Sequence, residues 1–515
     1  MSPAPDLLAA WRGTRDAGAR RRAAGLLLAR DTFFEALADR SLSAAEALEL
    51  ARDAAEIDPQ LDRKLAQRLD YGADDETASR LLDVLEGLAE GARLGPLIAP
   101  LLGHASPRVR SKAALLLGKA NRSGQWAGRQ FADNDARVRA NIIEGLWGDD
   151  SAISRVILAQ ALADPEPRVA GNAAVGLYEL GDTRSIAALA RMAAGDAPER
   201  ATAAWCMGRA GDRRFLPALN SLLRDPDPRV RQNALRAVSC IRRQPQPEPA
   251  LKVAIFRAWN AAPGARRLAV SVVSAAEWSP VKVAPTGFLL ERNGEMVTDY
   301  QVLEAEPPEA LAVGFALPRR LDLNDPWRRT IEDTLLRCAR LRRAEDTWAV
   351  LKYAPRGAAA APADPARLTA GLAALAAAIA ASGNNQGGAA AVLGRLLSTL
   401  TPMRGGRHLV FAGDPGPLGH ERARLVMEAR AARVEIHGIA PPEGSAELDG
   451  LCRATGGAYC AARSAQEASE LIERLCIGML HRYVIAYGGR GPDRSVRVEA
   501  RVGGLSGCAE IRSQC

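Results

Sequence analysis

Through the first half of the chain, apolar residues recur at helical spacing, broken at even intervals by short polar segments that often contain proline. The clearest unit runs Asp225-Pro226-Asp227-Pro228-Arg229-Val230-Arg231-Gln232-Asn233-Ala234-Leu235-Arg236-Ala237-Val238. With Pro228 as anchor, the equivalent positions upstream are Pro198, Pro167, Ala136, Pro107 and Glu76, at spacings of 30, 31, 31, 29 and 31 residues. Six positions after each anchor stands a small or apolar residue: Ala234, Ala204, Ala173, Ile142, Ala113 and Leu82. So steady a period marks stacked repeats. Within a unit, the polar residue ahead of the anchor caps a helix, and a proline in the first turn forfeits no hydrogen bond. Val169, Ala173, Ala174, Leu177 and Leu180 then fall on one helical face, and Gly118, Gly181 and Gly211 suit helix ends. Apolar runs such as Leu97–Leu102 and Phe215–Leu219 read as the partner helices. Two short helices per unit predict an all-α solenoid.

Residues 1–70 are helical by pattern but lack the repeat signature; they read as the divergent cap that a solenoid needs at its end. The array is expected over 71–262, with a Pro-rich break at 244–249 and a last helix over Leu251–Trp259. The period then shortens. Leu268–Val273, Gly287–Arg292 and Tyr300–Ala305 carry strand residues, and Asn293-Gly294 is a hairpin signal, so 263–309 reads as a β segment. A competing reading makes Pro263–Ala276 one more repeat helix, because Arg266, Arg267 and Ala269 fit the unit in part. From 310 to 515 strands alternate with helices. Strands are expected over Ala310–Leu317, Thr347–Tyr353, His408–Ala412, Val434–Ile439 and Tyr483–Tyr487. Helices are expected over Trp327–Leu341, Ala366–Ala381, Ala389–Leu400, His420–Ala432, Ala446–Ala454 and Ala465–Leu480. That order implies a largely parallel sheet covered on both faces.

Composition adds little constraint. Lys and Arg number 68 against 60 acidic residues, a net charge of +8; over this length the bias permits an anionic partner without demanding one. Aromatics make up only 4% against 48% hydrophobic residues, so the core is built of Ala, Leu and Val, which suits close-packed helices. Met1–Arg30 carries no secretory pattern, and the longest apolar run, Leu368–Ala381, is too short to span a bilayer; a cytoplasmic chain with no membrane partner is expected. No pair of the eight cysteines has zinc spacing. Cys452 and Cys460 flank a Gly-Gly turn, which leaves both a bridge and single buried thiols open. The five histidines form no His-Glu-x-x-His pattern, and neither a Gly-x-Ser-x-Gly elbow nor a phosphate loop is present. No enzyme activity and no cofactor are expected.

The repeats resemble HEAT-like repeats of the phycobilisome-lyase type, whose signature is close to Asp-Pro-x-x-x-Val-Arg-x-x-Ala-Ala, across roughly 76–243. The second half resembles a bacterial von Willebrand factor type A-related domain of Rossmann-like α/β fold, with flanking β segments. Its most specific part is Ala454-Thr455-Gly456-Gly457-Ala458-Tyr459; Asp346–Leu351, Gly387-Gly388, Arg407–Asp414 and Arg482–Tyr487 also match. The resemblance implies a divalent-cation site at the strand tips, built from Asp-x-Ser-x-Ser, a Thr and a later Asp. Here Leu317, Arg319 and Leu321 take the first three places and Ala389 the place of the Thr. Only Asp414 is kept, so the site is degenerate and no metal is expected. Asp322, Asn324 and Asp325 lie just downstream, either as a displaced oxygen cluster or as caps for the helix near Pro326.

Arg319 and Arg320 put fixed charge where the family holds its ion, and guanidinium pairs with carboxylate without a metal. With Asp414 they are candidate partner-binding residues. The repeat arginines Arg108, Arg110, Arg137, Arg139, Arg168, Arg200, Arg229 and Arg231 form a second candidate set. They either track phosphates or pair with Asp133, Asp164, Asp196 and Asp225 in the array. The expected function is a non-enzymatic scaffold or adaptor for protein partners. An RNA-binding protein of Ro-like architecture and a lyase-type accessory factor are the alternatives.

Overall fold

The computed structural model describes residues 4–512 except 31, 40, 71–74, 89–92, 121–123, 263, 306–309, 319–325, 354–365, 369–387, 442–445, 481 and 490. The chain divides into two compact units, Met1–Pro245 and Gln246–Cys515.

The first unit is helical. It opens with α1 (Ala4–Gly13), α2 (Ala17–Ala29), α3 (Phe33–Ala38), α4 (Ala44–Ala55), α5 (Leu61–Asp70), α6 (Asp75–Leu88) and α7 (Leu94–Ile98). The regular repeats follow in α8 (Pro107–Ala120), α9 (Ala127–Gln130), α10 (Ala136–Gly145), α11 (Ala152–Ala161), α12 (Pro167–Glu179), α13 (Arg184–Ala193), α14 (Ala197–Ala210), α15 (Leu216–Leu222) and α16 (Pro228–Arg243). Asp135 and Asp227 cap α10 and α16, as the sequence pattern requires. One repeat corrects the sequence register. The residue equivalent to Pro228 is Ala197, not Pro198, because Asp196 is the cap and forms a reciprocal capping box with Glu199. The conserved small position in that copy is therefore Ala203, fully buried like Ala113, Ile142, Ala173 and Ala234.

Successive repeat helices meet through matched volumes. A Cβ added to Gly118 would lie 2.2 Å from the Gly145 carbonyl oxygen, so α8 and α10 touch backbone to backbone. One repeat on, Trp147 fills the equivalent place and faces Gly176, whose added Cβ would come 2.9 Å from the indole. Gly208 faces Ala237 in the same way. The bulky Trp147 is thus met by glycine, as native packing density demands.

The second unit is α/β. Its strands are β1 (Leu251–Ala262), β2 (Ala265–Ser274), β3 (Phe288–Arg292), β4 (Glu295–Val297), β5 (Tyr300–Glu304), β6 (Leu311–Pro318), β7 (Thr347–Tyr353), β8 (Ala366–Leu368), β9 (Gly406–Ala412), β10 (Val434–Ala440), β11 (Tyr459–Ala461), β12 (Tyr483–Gly488), β13 (Ser495–Val502) and β14 (Leu505–Arg512). Its helices are α17 (Pro326–Cys338), α18 (Ala389–Leu400), α19 (Glu421–Ala431), α20 (Ala446–Thr455) and α21 (Ala465–Gly478). The central sheet has the order β11-β10-β9-β6-β7-β8, parallel except for β8. Val313, Phe315, Val350 and Val410 pack on one face against Ile331 of α17 and Ile472 of α21. Leu351, Leu409, Phe411 and Ile436 pack on the other against Leu396 of α18, Leu425 of α19 and Leu451 of α20. Two antiparallel sheets, β1-β2-β12-β5 and β14-β13-β3-β4, complete the unit.

Three expectations fail, and one alternative is excluded. Leu251–Trp259 is not a last helix but most of β1, paired antiparallel with β2. The array accordingly closes at Pro245 rather than at 262, since the prolines at 245, 247 and 249 cannot donate to a helix. Residues 265–274 are strand, so the competing helix over Pro263–Ala276 is excluded. The helix expected over Ala366–Ala381 begins instead as β8, and the remainder lies outside the described residues. The hairpin at Asn293-Gly294 forms, with φ of 52° and 83° at its two turn residues, the positive pair a type I′ turn needs.

Candidate functional site

Arg110, Arg139 and Arg200 occupy one repeat position and make one arrangement. The Nε and Nη2 atoms of Arg139 hold both carboxylate oxygens of Asp164 at 2.8 and 3.0 Å. Arg110 holds Asp133 at 2.7 and 2.9 Å, and Arg200 holds Asp225 at 2.6 and 3.0 Å. Each aspartate stands two residues ahead of the cap of the next repeat helix and accepts that residue's backbone N–H at 2.9 Å. The Nη1 atom of each arginine turns back to carbonyls of its own repeat, as Arg139 does to Asp133 at 2.9 Å and Arg110 to His104 and Ala105 at 2.9 Å. Arg110 holds the Asp133 carboxyl below its usual range. For Asp164 burial pushes the other way, and the Arg139 guanidinium with the Glu166 amide prevails. A second set of links runs backwards. Asn141, Asn172 and Asn233 donate to the Ser111, Ala140 and Ala201 carbonyls of the preceding helix at 3.2, 3.0 and 2.9 Å.

From α8 onward the aspartate latch is missing at one joint, and on both sides together. Ala170 stands at the arginine position and Ala194 at the aspartate position; Ala170 packs with Met192 and Ala203 instead. Asp196, the candidate partner there, is spent on its own cap. Arg108, Arg137, Arg168 and Arg229 lie two positions earlier and are exposed. Arg137 pairs with Asp135 of its own helix at 3.0 Å, and Arg168 donates to the Asn141 side chain at 3.3 Å.

At the carboxyl ends of the parallel strands, Leu317 is buried beneath α17 and Ala389 is the buried first residue of α18. Asp414, exposed two residues beyond β9, accepts the Gly416 N–H at 3.0 Å. Arg319, Arg320, Leu321, Asp322, Asn324 and Asp325 lie outside the described residues.

The amino ends of β9 and β10 carry a constellation that sequence reading passes over. Register places Glu435 beside His408, and alternation puts His437 on the same face. A register shift in β1 between Ile255 and Arg257 turns Phe256 onto both imidazoles, with ring centroids 5.8 and 5.6 Å apart. Gly478 permits this, since a Cβ there would stand 2.7 Å from the Phe256 Cβ. Arg257, Trp259, Arg433 and Met479 line the open cleft above, of about 620 Å³. The available signal was the His-x-Val and Glu-x-His alternation in two adjacent strands.

His408 Nδ1, His437 Nε2 and a Glu435 oxygen lie 3.2, 3.7 and 3.9 Å apart. A tetrahedral ion with bonds of about 2.1 Å needs edges of about 3.4 Å, so spacing alone fits a metal. The lone pairs do not. The Ala458 backbone N–H donates to His437 Nδ1 at 3.1 Å, so the neutral ring keeps its proton on Nε2 and donates it to His408 Nδ1. Burial, then the proximity of His408 and of the Arg257 guanidinium, pushes His437 down to about 3. Arg257, 3.5 Å from Glu435, adds positive charge at the mouth. As arranged, the trio is a neutral hydrogen-bonded pair beside a carboxylate, not a ligand set for a divalent ion.

Residues 128–200 and 192–272 match the HEAT repeat family. The second match runs through β1 and most of β2, where the chain has left the repeat. No curated protein matches. Among solved structures, a von Willebrand factor type A protein from Catenulispora acidiphila is 10% identical, covering 52% of this chain and 74% of that one at a TM-score of 0.27. Human deoxyhypusine hydroxylase in complex with glycerol is 15% identical, covering 47% and 96% at 0.21. A designed armadillo repeat protein is 16% identical, covering 46% and 99% at 0.19. Likenesses of this extent carry no argument about function. The family match is to HEAT repeats, and the strand order establishes that an α/β unit with a largely parallel central sheet follows them.

Proposed function

We propose that the chain is a non-enzymatic scaffold that binds protein partners through its repeat array and its α/β unit. One observation carries this reading. Three of the eight arginines that would follow a phosphate backbone are committed inside the array: Arg110, Arg139 and Arg200 each hold a carboxylate with both donor atoms. What the array leaves at its surface includes large apolar side chains, Trp205 and Leu235 among them, which suit protein contacts. The chemistry at the strand tips agrees. Leu317 and Ala389 offer no oxygen ligand, so a partner there is held without a bridging cation. The test is affinity capture of the full chain from its native host, with and without nuclease. Nuclease-resistant protein partners are expected; loss of every partner on nuclease treatment overturns the reading.

The exposed Arg108, Arg137, Arg168 and Arg229 favour a second reading, RNA binding along that edge. Filter binding decides between them. Tight RNA binding with a steep salt slope, lost in Arg108→Ala/Arg229→Ala, establishes the second.

A further inference from the structure

The latch that joins the repeats is left open at the last one. Arg231 stands where Arg110, Arg139 and Arg200 stand, and its Nη1 is seated in the same way, on the Asp225 and Pro226 carbonyls at 2.7 and 2.8 Å. The Nε and Nη2 edge, which holds an aspartate in the other three copies, faces no carboxylate among the described residues. Four positions on, Leu235 is 59% exposed, whereas its equivalents Ala114, Ile143, Ala174 and Ala204 are fully buried against the following repeat. The chain does not supply that repeat, because after the Pro-rich segment it forms β1. A terminal repeat ordinarily carries a polar outer face; this one presents a seated guanidinium and a bare leucine.

We propose that this face docks a helix pair of another protein, one that presents a carboxylate two residues ahead of a helix start and a small apolar residue on the helix behind it. This is the pattern the chain's own repeats present to one another. A planar fork already fixed on one side discriminates in favour of bidentate carboxylates, and Leu235 supplies the apolar contact beside it. The proposal rests on the scaffold reading and names a partner chemistry for it.

The test uses a fluorescently labelled peptide of residues 213–243, a mimic of the missing repeat, titrated with the full-length chain. Binding is expected, about tenfold weaker for Arg231→Ala and for Leu235→Asp. Arg231→Lys should fall between, because it keeps the charge and loses the fork. The peptide variant Asp225→Ala should lose the same factor against the unaltered chain and nothing further against Arg231→Ala. Arg229→Ala serves as the control and should bind like the parent, and thermal melts confirm that each variant is folded. Equal affinity across the set, or no binding by the parent, overturns the proposal. So does a Leu235-dependent dimer in sedimentation, which would assign the face to a second copy. If captured partners survive Arg231→Ala and Leu235→Asp unchanged, this inference fails while the scaffold reading stands; if no protein partner is captured, the scaffold reading itself fails.

Discussion

The helical array and the α/β unit spend their polar residues differently. In the array, a charged or amide side chain at a fixed repeat position reaches the adjoining repeat, as Arg139 does to Asp164 across 25 residues and Asn172 to Ala140 across 32. The same link is made again one period later. In the α/β unit polar links join segments far apart and are made once: Arg266, Arg292 and Tyr487 converge on Asp493, and Lys252 of β1 meets Glu473 of α21. A repeat stacks on its neighbours only, so its stability is close to a sum of local terms. A sheet core is cooperative over long separations. Changes in the array should therefore act on that unit alone and scale with the interface touched.

The largest expected effect is in the array core. Ala173 is fully buried where α12 packs against its neighbours, and Ala173→Asp places an unpaired charge there. A loss of about 3–5 kcal/mol is expected, enough to unfold the neighbouring repeats. Hydrogen exchange should show α10 to α14 exchanging freely while β6, β7 and β9 stay protected. Loss of protection in both units together breaks the comparison.

The latches come next. Arg139→Ala removes a two-point link to Asp164, whose side chain is only 6% exposed, and should cost about 1.5–3 kcal/mol. Arg137→Ala, two residues away on the exposed side, should leave the denaturation midpoint where it is. Equal effects from the two would mean that the latch is ornament.

Acid should weaken the two units in different ranges. The Asp133 and Asp164 carboxyls are depressed in the folded state. The stability they contribute is present above the ordinary carboxylate range and is lost as pH falls through the depressed folded values. His437 behaves otherwise. Its folded value, about 3, lies below the ordinary 6.5. The unfolded chain therefore takes up a proton that the folded chain refuses, and stability falls from about pH 6.5 down to about pH 3, by up to about 1.4 kcal/mol per pH unit. Glu435 faces the pair, and burial raises its carboxyl although Arg257 opposes this. It protonates earlier in the folded state and offsets part of the slope at the acid end. Urea midpoints at pH 7, 5.5 and 4.5 should fall for the α/β unit before the array, and His437→Gln should flatten that fall. A parallel fall in both units sinks the assignment.

Legibility in the sequence follows the same division. A period near 30 residues exposes the repeats, because every copy obeys the same local rules, and Thr347–Tyr353 and Ala389–Leu400 are found to the residue. The sequence anchor falls on Pro198 rather than Ala197 because proline suits both the first and second helical positions; only the Asp196 capping box separates them. Leu251–Trp259 reads as a helix in sequence because β1 is half exposed and broken by a bulge, so its alternation is blurred. The open edge of Arg231 is invisible in sequence, since Arg231 looks like Arg139 until the following repeat is found to be missing. His408, Glu435 and His437 escape because nothing in either short segment shows that β9 and β10 are neighbours.

The smallest expected effect is none, and it concerns metal. Among the described residues set against a cation site in the sequence, Asp414 alone carries a carboxylate, and its Oδ1 already accepts the Gly416 N–H. Leu317 and Ala389 have no oxygen to offer. Magnesium gives up its hydration shell reluctantly and asks for near-octahedral oxygen, which one exposed carboxylate cannot replace. Titration calorimetry with magnesium, calcium and manganese should show no saturable binding below the millimolar range, and Asp414→Ala should leave partner capture intact. Zinc tests the other end of the sheet. To bind at His437 Nε2 it must expel a proton or strip Nδ1 of the Ala458 hydrogen bond, and Arg257 opposes it in either case. Micromolar zinc should therefore neither bind nor shift the melting of the α/β unit. A tight magnesium site abolished by Asp322→Ala or Asp325→Ala would place the cation in the loop after β6, and a zinc site lost in His408→Ala would show that the Ala458 hydrogen bond yields to the metal.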